Sequence, residues 1–400
     1  MNKVYFSGSH RARHPEATLA LVTPFLKEIG VTRVANITGL DVIGIPVVVV
    51  CRPNAKTLST ATGKGINLLN AKVSGIMEAL ELYHAENIDQ SLKLSTYSDL
   101  HQNHPVIEID GLPRLNISDF HPDKSILWIE GQSITPSDTA SVWLPHETVH
   151  TNYTLPLPTG SGSFIMSTNG LASGNSVLEA TNHAIGELIE RDAMTLFEIS
   201  NDEYKQSRLL KLDTINSPEA THLLDLYHQA NVPVNVWDIT SDIDIPAFKC
   251  EILYTNPLDP GILLPVHGYG CHPSREIALL RALTEAAQSR LNLIAGSRDD
   301  IAQAMYQKSY TRIDTKDGKR NFRDVVNYQH QDLASDLSLL LDRLALVGIH
   351  QVVRVNLTKS KFNIPVVKVV IPGLEGMIDI PEYKLGQRAK NRLEKINIGV

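Results

Sequence analysis

Ser176-Val177-Leu178-Glu179-Ala180-Thr181-Asn182-His183-Ala184-Ile185-Gly186-Glu187-Leu188-Ile189-Glu190-Arg191-Asp192 holds the strongest pattern in the chain. Apolar residues at Ile185, Leu188, Ile189 and Ala193 predict a helix from Val177 to about Ile199. Ser176 and Glu179 fit a capping box, so Glu179 is either a structural cap or a ligand. Glu187 and Glu190 lie three residues apart, on one face and one turn. A helix this apolar is buried on most sides, and a partly buried carboxylate needs a cation, a donor or a proton. His183 shares the face of Glu179, Glu187 and Glu190 and reads as packing, because no second histidine accompanies it. Arg191 can pair with Glu187 or point to a phosphate.

Two further helices carry similar heads. Ser74-Gly75-Ile76-Met77-Glu78-Ala79-Leu80-Glu81 sits in a helical pattern running from Ile66 to about Asn87, and Glu285-Ala286-Ala287-Gln288-Ser289-Arg290 in one from Glu276 to Ala295. A lone Glu-x-x-Glu pair is by default a solvated surface. Four carboxylates from two apolar helices would repel one another without a metal between them. Oxygen-only donors favour Mg²⁺, which usually also holds a substrate phosphate.

Working outward, Pro15 to Ile29 reads as a helix that Pro24 should kink or shorten. Pro218–Asn231 and Leu333–Val347 are further helices. Strands are expected at Arg33–Thr38, Gly44–Val50, Ile126–Glu130, Ser141–Leu144, Val234–Ile239, Ala247–Tyr254, His350–Asn356 and Pro365–Ile371. Helices and strands alternate without a long polar linker, which argues a mixed α/β or α+β architecture forming one composite unit over residues 1–400. The 400 residues carry a net charge of −7, 42% hydrophobic and 20% charged residues. That balance excludes a disordered chain or a coiled coil and disfavours general binding to nucleic acid or anionic membranes. Cys51, Cys250 and Cys271 are too scattered for a metal clip or a disulfide framework. With no signal-peptide pattern and no spanning stretch, a cytoplasmic location is expected.

His146-Glu147-Thr148-Val149-His150 matches the zincin signature, whose chemistry requires a helix. Pro145 before it and the β-branched Thr148 and Val149 predict a strand instead, with the two histidines roughly 13 Å apart. Gly63-Lys64-Gly65 resembles a fragment of a P-loop but lacks the earlier glycine and the following Ser or Thr. It reads as a loop before a helix, holding either an anion or a solvated lysine.

Taken together, Gly63-Lys64-Gly65, Ser74xxxGlu78xxGlu81, Asn169-Gly170-Leu171-Ala172-Ser173-Gly174-Asn175, Glu187xxGlu190-Arg191-Asp192 and Arg281 to Arg290 resemble the YcaO family over roughly residues 60 to 300. Phe6-Ser7-Gly8-Ser9-His10-Arg11, Thr38-Gly39-Leu40-Asp41-Val42-Ile43-Gly44-Ile45-Pro46 and Pro372-Gly373-Leu374-Glu375 are similar to the subgroup found beside TfuA-type partner proteins. The resemblance implies an α+β fold with mixed sheets flanked by long helices that carry the paired glutamates. It implies ATP-dependent phosphorylation of the oxygen of a backbone amide that a nucleophile has attacked. A peptide side chain as nucleophile gives an azoline; external sulfide gives a thioamide, the product associated with TfuA-linked members.

Carried onto this chain, the resemblance makes Glu78, Glu81, Glu187 and Glu190 the Mg²⁺ ligands, with Glu187, Glu190 and Arg191 at the catalytic centre. Asn175 and Glu179 would lie by the nucleotide. Ser74, Arg191, Gln288 and Arg290 would line the ATP site, with Arg11 and Lys64 toward the phosphates. Glu81-Leu82 stands where the family often has Glu-Arg, so one phosphate-side cation is missing or supplied elsewhere. The ending Ile396-Asn397-Ile398-Gly399-Val400 lacks the proline-rich tail of azoline-forming members and favours the thioamide subgroup. Expected partners are a peptide or protein substrate, a TfuA-like protein and a sulfur donor, and a homodimer is allowed. Three alternatives stay open: an azoline-forming cyclodehydratase, a zinc peptidase using His146, Glu147 and His150, and a non-catalytic ATP-binding subunit.

Overall fold

The computed structural model describes residues 1–135, 139–252, 265–300 and 318–398. The chain divides into two compact units: one holds Met1, Leu80–Ser200 and Asp332–Val400, the other Asn2–Ala79 and Asn201–Gln331. The Leu68–Glu86 helix is shared, with the boundary falling after Ala79. No helix among the described residues is long and apolar enough to cross a membrane.

In the second unit, the valine run of Val47–Cys51 is the middle strand of an antiparallel sheet between Arg33–Asn36 and Thr60–Lys64. Val234–Asp238, Ala247–Ile252 and Val266–Cys271 form a second antiparallel meander. The expected extension of its middle strand to Tyr254 lies outside the described residues. Helix Arg275–Ala295 packs on the Val266–Cys271 strand. Ser274 caps it by accepting from Ile277 N–H, and Gly296 at φ 57° ends it. Gly270 permits the contact, because a Cβ there would lie 2.1 Å from Ala278 O.

The first unit is built on a six-stranded antiparallel sheet. Its order is Leu92–Ser95, Ile126–Ser133, Val353–Asn356, Val366–Val370 and Leu171–Ser173, with Ser141–Pro145 also paired to Ile126–Ser133. Helix Val177–Glu198 lies on Val366–Val370 and Leu171–Ser173, and packs with helices Leu333–Leu346 and Gln387–Ile398. The architecture is α+β as expected. The ladders of the large sheets are antiparallel, and parallel pairing among the described residues includes Arg320–Asn321 with Leu210–Lys211 and the bridge of Val106 to Trp143 on the six-stranded sheet.

Pro24 acts as expected: the helix runs only Pro15–Val22, and a 3₁₀ turn Thr23–Phe25 follows. Gly63 and Lys64 are not in a loop but end the Thr60–Lys64 strand. A Cβ on Gly63 would lie 2.1 Å from both Ala71 O and Gly75 N, so this glycine permits a strand–helix close approach. The ending Gly399-Val400 lies outside the described residues.

Candidate functional site

Helix Val177–Glu198 starts where Ser176 Oγ accepts from Glu179 N–H at 3.1 Å. The Glu179 carboxylate accepts from Asn175 Nδ2 at 3.1 and 3.3 Å. About three turns on, Arg191 sits between the paired carboxylates, 3.7 Å from Glu187 and 3.5 Å from Glu190. Glu190 is buried and Glu187 half-buried.

The segment Ser167–Asn175 organises these groups. Gly170 N–H donates to Glu187 Oε2 at 3.2 Å. Ser173 donates to Glu81 Oε1 twice, from its N–H and its hydroxyl, both at 2.7 Å. Asn175 holds Glu179 as described above. One short stretch therefore touches three carboxylates, two from helix Val177–Glu198 and one from helix Leu68–Glu86. Lys368 lies beneath it, 1% exposed, with its ammonium 2.6 Å from Ser167 O. Burial pulls Lys368 down to about 8, and the Glu187 charge opposes that pull.

In the second unit, Lys64 is tied to Glu285 at 2.6 Å and to Gln288 at 3.0 Å. Gln288 also donates to the Thr62 carbonyl and hydroxyl. Burial pushes Glu78 up to about 7, against the opposing charges of Lys64 and Arg298. Arg290 is spent on a buried two-pronged ion pair with Asp41, at 2.7 and 3.0 Å. Arg11 pairs its backbone with Tyr5, and Ser74 sits half-buried on the Leu68–Glu86 helix. The structure thus gathers Glu187, Glu190 and Arg191 in one unit and Lys64 with Gln288 in the other, while Arg290 faces a carboxylate of its own chain.

A family described as "YcaO cyclodehydratase, ATP- and Mg²⁺-binding" matches residues 62–375. The chain belongs to the YcaO family. ATP and Mg²⁺ are the cofactors in that family's description. This YcaO chain is 34% identical over 395 residues to a protein in the tfuA 3′ region of Rhizobium leguminosarum bv. trifolii, covering 96% of this chain and 93% of the relative. It is 34% identical over 402 residues to an uncharacterised protein of Methanothermobacter thermautotrophicus, covering 96% and 99%. Among solved structures, it resembles YcaO from Methanopyrus kandleri bound with AMPPCP and Mg²⁺, with TM-score 0.71, 21% identity and 94% of each chain covered. It also resembles a heterocyclase in complex with substrate and cofactor, with TM-score 0.76 and 20% identity over 94% of this chain and 54% of that one. Those two likenesses establish the fold.

The expected strand at His146–His150 is wrong. Pro145 ends the Ser141–Pro145 strand, and Thr148 Oγ1 returns to Pro145 O at 2.8 Å. The N–H groups of Val149 and His150 return to His146 O at 2.9 and 3.1 Å. This 3₁₀ turn stacks the two imidazoles at 4.4 Å between centroids. The zinc reading still fails, for a different reason. Glu147 accepts three backbone N–H groups, from Gly162, Ser163 and Phe164 at 2.6, 3.0 and 2.8 Å. Among the described residues no group of three or more His, Cys, Asp or Glu is set to hold a metal. The rings border a small polar pocket lined also by Glu147, Pro158 and Ser161.

Sequence reading passed over Lys368, Ser173, Glu285 as a partner of Lys64, and Asp41 as a partner of Arg290. Lys368 did leave a signal: it is the one charge in Val366-Val367-Lys368-Val369-Val370.

Proposed function

We propose that this YcaO chain activates a backbone amide of a peptide or protein by ATP-dependent O-phosphorylation, and that its product is a thioamide. The reading is carried by the Glu187–Glu190–Arg191 face that Gly170 tethers. The relative in the tfuA 3′ region supports the thioamide product and a TfuA-like partner.

The donor set fits Mg²⁺ with a nucleotide. Glu187, Glu190, Glu81 and Glu78 offer oxygen only, the hard-ligand chemistry that suits Mg²⁺. Mg²⁺ rarely takes an all-protein cage; it is held by one or two carboxylates together with substrate phosphates. That accounts for paired carboxylates without a converging group of three. When bound, the metal would screen the triphosphate and stabilise charge during phosphoryl transfer. Glu187 and Glu190 would hold it, with Glu81 from the Leu68–Glu86 helix, whose backbone partner Ser173 lies in the same unit. Arg191 would orient the carboxylates and meet the transferring phosphoryl group. Asn175 and Glu179 would flank the nucleotide. Arg290 would act through Asp41 rather than touch the nucleotide.

In the reaction, hydrosulfide adds to the amide carbon, and the resulting oxyanion takes the γ-phosphoryl group from ATP, releasing ADP. The C–O bond then breaks, the S–H bond gives up its proton to the departing phosphate, and hydrogen phosphate leaves as the carbon–sulfur double bond forms. The test combines the protein, a TfuA-like partner, a candidate peptide, sulfide, ATP and Mg²⁺, and reads phosphate release and peptide mass. The expected result is peptide-dependent phosphate release with exchange of one oxygen for sulfur. Loss of one water from the peptide would show an azoline instead. ATP binding without phosphate release under all conditions would show an accessory subunit.

A further inference from the structure

We propose that Lys368 is a positioning residue for Glu187: its ammonium fixes the Ser167–Gly170 turn in the shape from which Gly170 N–H holds the carboxylate. The proposal rests on the Mg²⁺–ATP reading of Glu187 given above. Lys368 lies in an interior strand, in register with Val355 on one side and Leu171 on the other. Every other residue of Val366–Val370 is valine and buried. Packing alone would be better served by a fifth apolar side chain, because burying an ammonium is costly unless it is well paired. Among the described residues, Ser167 O is its single hydrogen-bond acceptor.

The turn is pinned at both ends by the same strand. Lys368 holds the Ser167 carbonyl, and Val369 N–H donates to Gly170 O at 2.8 Å. Leu171 N–H closes the turn onto Thr168 O at 2.9 Å. Gly170 has φ 76°, and a Cβ there would lie 2.4 Å from Val369 O, so the backbone has no room to slide. With both ends fixed, the direction of the Gly170 N–H is fixed too, and it meets Glu187 at 3.2 Å. The next residues in line carry Ser173 to Glu81 and Asn175 to Glu179. A shift at Ser167 would therefore reach three carboxylates.

The test uses Lys368→Met, which keeps the stem and removes the charge. Hydrogen exchange on the protein without nucleotide should show the amides of residues 168–171 exchanging about tenfold or more faster than wild type. The Mg²⁺ concentration for half-maximal ATP binding should rise about tenfold or more, the usual cost of losing a group that orients a metal ligand. Gly170→Ala disturbs the same turn without touching the charge and should reproduce both effects. Lys368→Gln can still donate to Ser167 O and should recover part of each; it carries the comparison if Lys368→Met does not fold. Unchanged exchange at 168–171 in a folded variant would overturn the proposal. So would tighter Mg²⁺ binding, which would leave only the relief of charge repulsion. If wild type shows no Mg²⁺-dependent ATP binding by calorimetry, the functional reading fails, while the exchange measurement still decides whether Lys368 shapes the turn.

Discussion

Arg388 grips Asp192 with two hydrogen bonds, Nε to Oδ1 at 2.8 Å and Nη2 to Oδ2 at 2.9 Å, around a carboxylate with no exposed surface. Asp192 follows Arg191 directly, so consecutive residues of one helix serve opposite purposes. Arg191 lies with Glu187 and Glu190, whereas Asp192 anchors the Gln387–Ile398 helix. Glu375 N–H adds a third bond to Asp192 at 3.0 Å. The Glu375 carboxylate accepts from Tyr383 OH, Gly386 N–H and Ala389 N–H at 2.8, 2.9 and 2.8 Å. Pro372-Gly373-Leu374-Glu375 thus forms the socket of the C-terminal helix.

Arg388→Met should therefore destabilise the protein by about 3–5 kcal/mol, because it strands a buried carboxylate without its counter-charge. Adding Asp192→Asn should recover part of the loss. Denaturant melts of the two single variants and the double variant measure the coupling; additive losses would contradict it.

Glu187→Gln and Glu190→Gln should each abolish most ATP-dependent phosphate release. Each swap keeps the side chain's shape and removes one metal-binding charge, a contribution of several kcal/mol to transition-state stabilisation. Folding should change by less than about 1 kcal/mol, since one of two neighbouring like charges is removed. Full turnover in both variants would contradict the site.

Acid should weaken the fold through His146 and His150. Burial, then the neighbouring His150, lowers His146 to about 3; burial, then Lys368, lowers His150 to about 4. In the unfolded chain both titrate near 6.5. Below that pH the unfolded state binds protons that the folded state refuses, so stability falls as pH falls. The loss accumulates from about pH 6.5 down to about 4, at roughly 1.4 kcal/mol per pH unit for each histidine. The double variant His146→Gln/His150→Gln should lower the slope across that window without removing it, because burial also lowers His10, to about 4, and His272. Its phosphate-release rate at neutral pH should match wild type, because neither imidazole belongs to the proposed ATP site. Melts at several pH values and a phosphate assay check both parts.

Gly63→Ala should cost about 3 kcal/mol or more, read as a lost or strongly lowered melting transition. The new methyl group would meet the backbone at Ala71 and Gly75, which cannot move aside as a flexible side chain could.

The long helices were legible in the sequence because their signals are local. Ser176 capping, the apolar spacing through Ile185 and Ile189, and Pro24 as a breaker all act within a turn or two of chain. The strand at Thr60–Lys64 was not legible, because its glycines look like a loop until the helix they admit is in place. The turn at His146–Thr148 was misread for a related reason: β-branched residues favour strands, yet the bonds back to His146 O and Pro145 O outweighed that preference.

The sequence by itself determined a mixed helix-and-strand architecture, the helices that carry Glu78, Glu81, Glu187 and Glu190, and, through the order of its motifs, the family resemblance that implied the α+β class. These rest on periodicity, capping and motif order, which are properties of neighbouring residues. Only the tertiary structure decided who partners whom. It gave Glu187 to Gly170, Glu81 to Ser173, Lys64 to Glu285, Arg290 to Asp41 and Lys368 to Ser167. The pairs Lys368–Ser167 and Arg290–Asp41 join residues about 200 or more positions apart. A charged side chain in a buried setting takes whichever partner the packing brings within about 3 Å, and spacing along the chain carries no record of that choice.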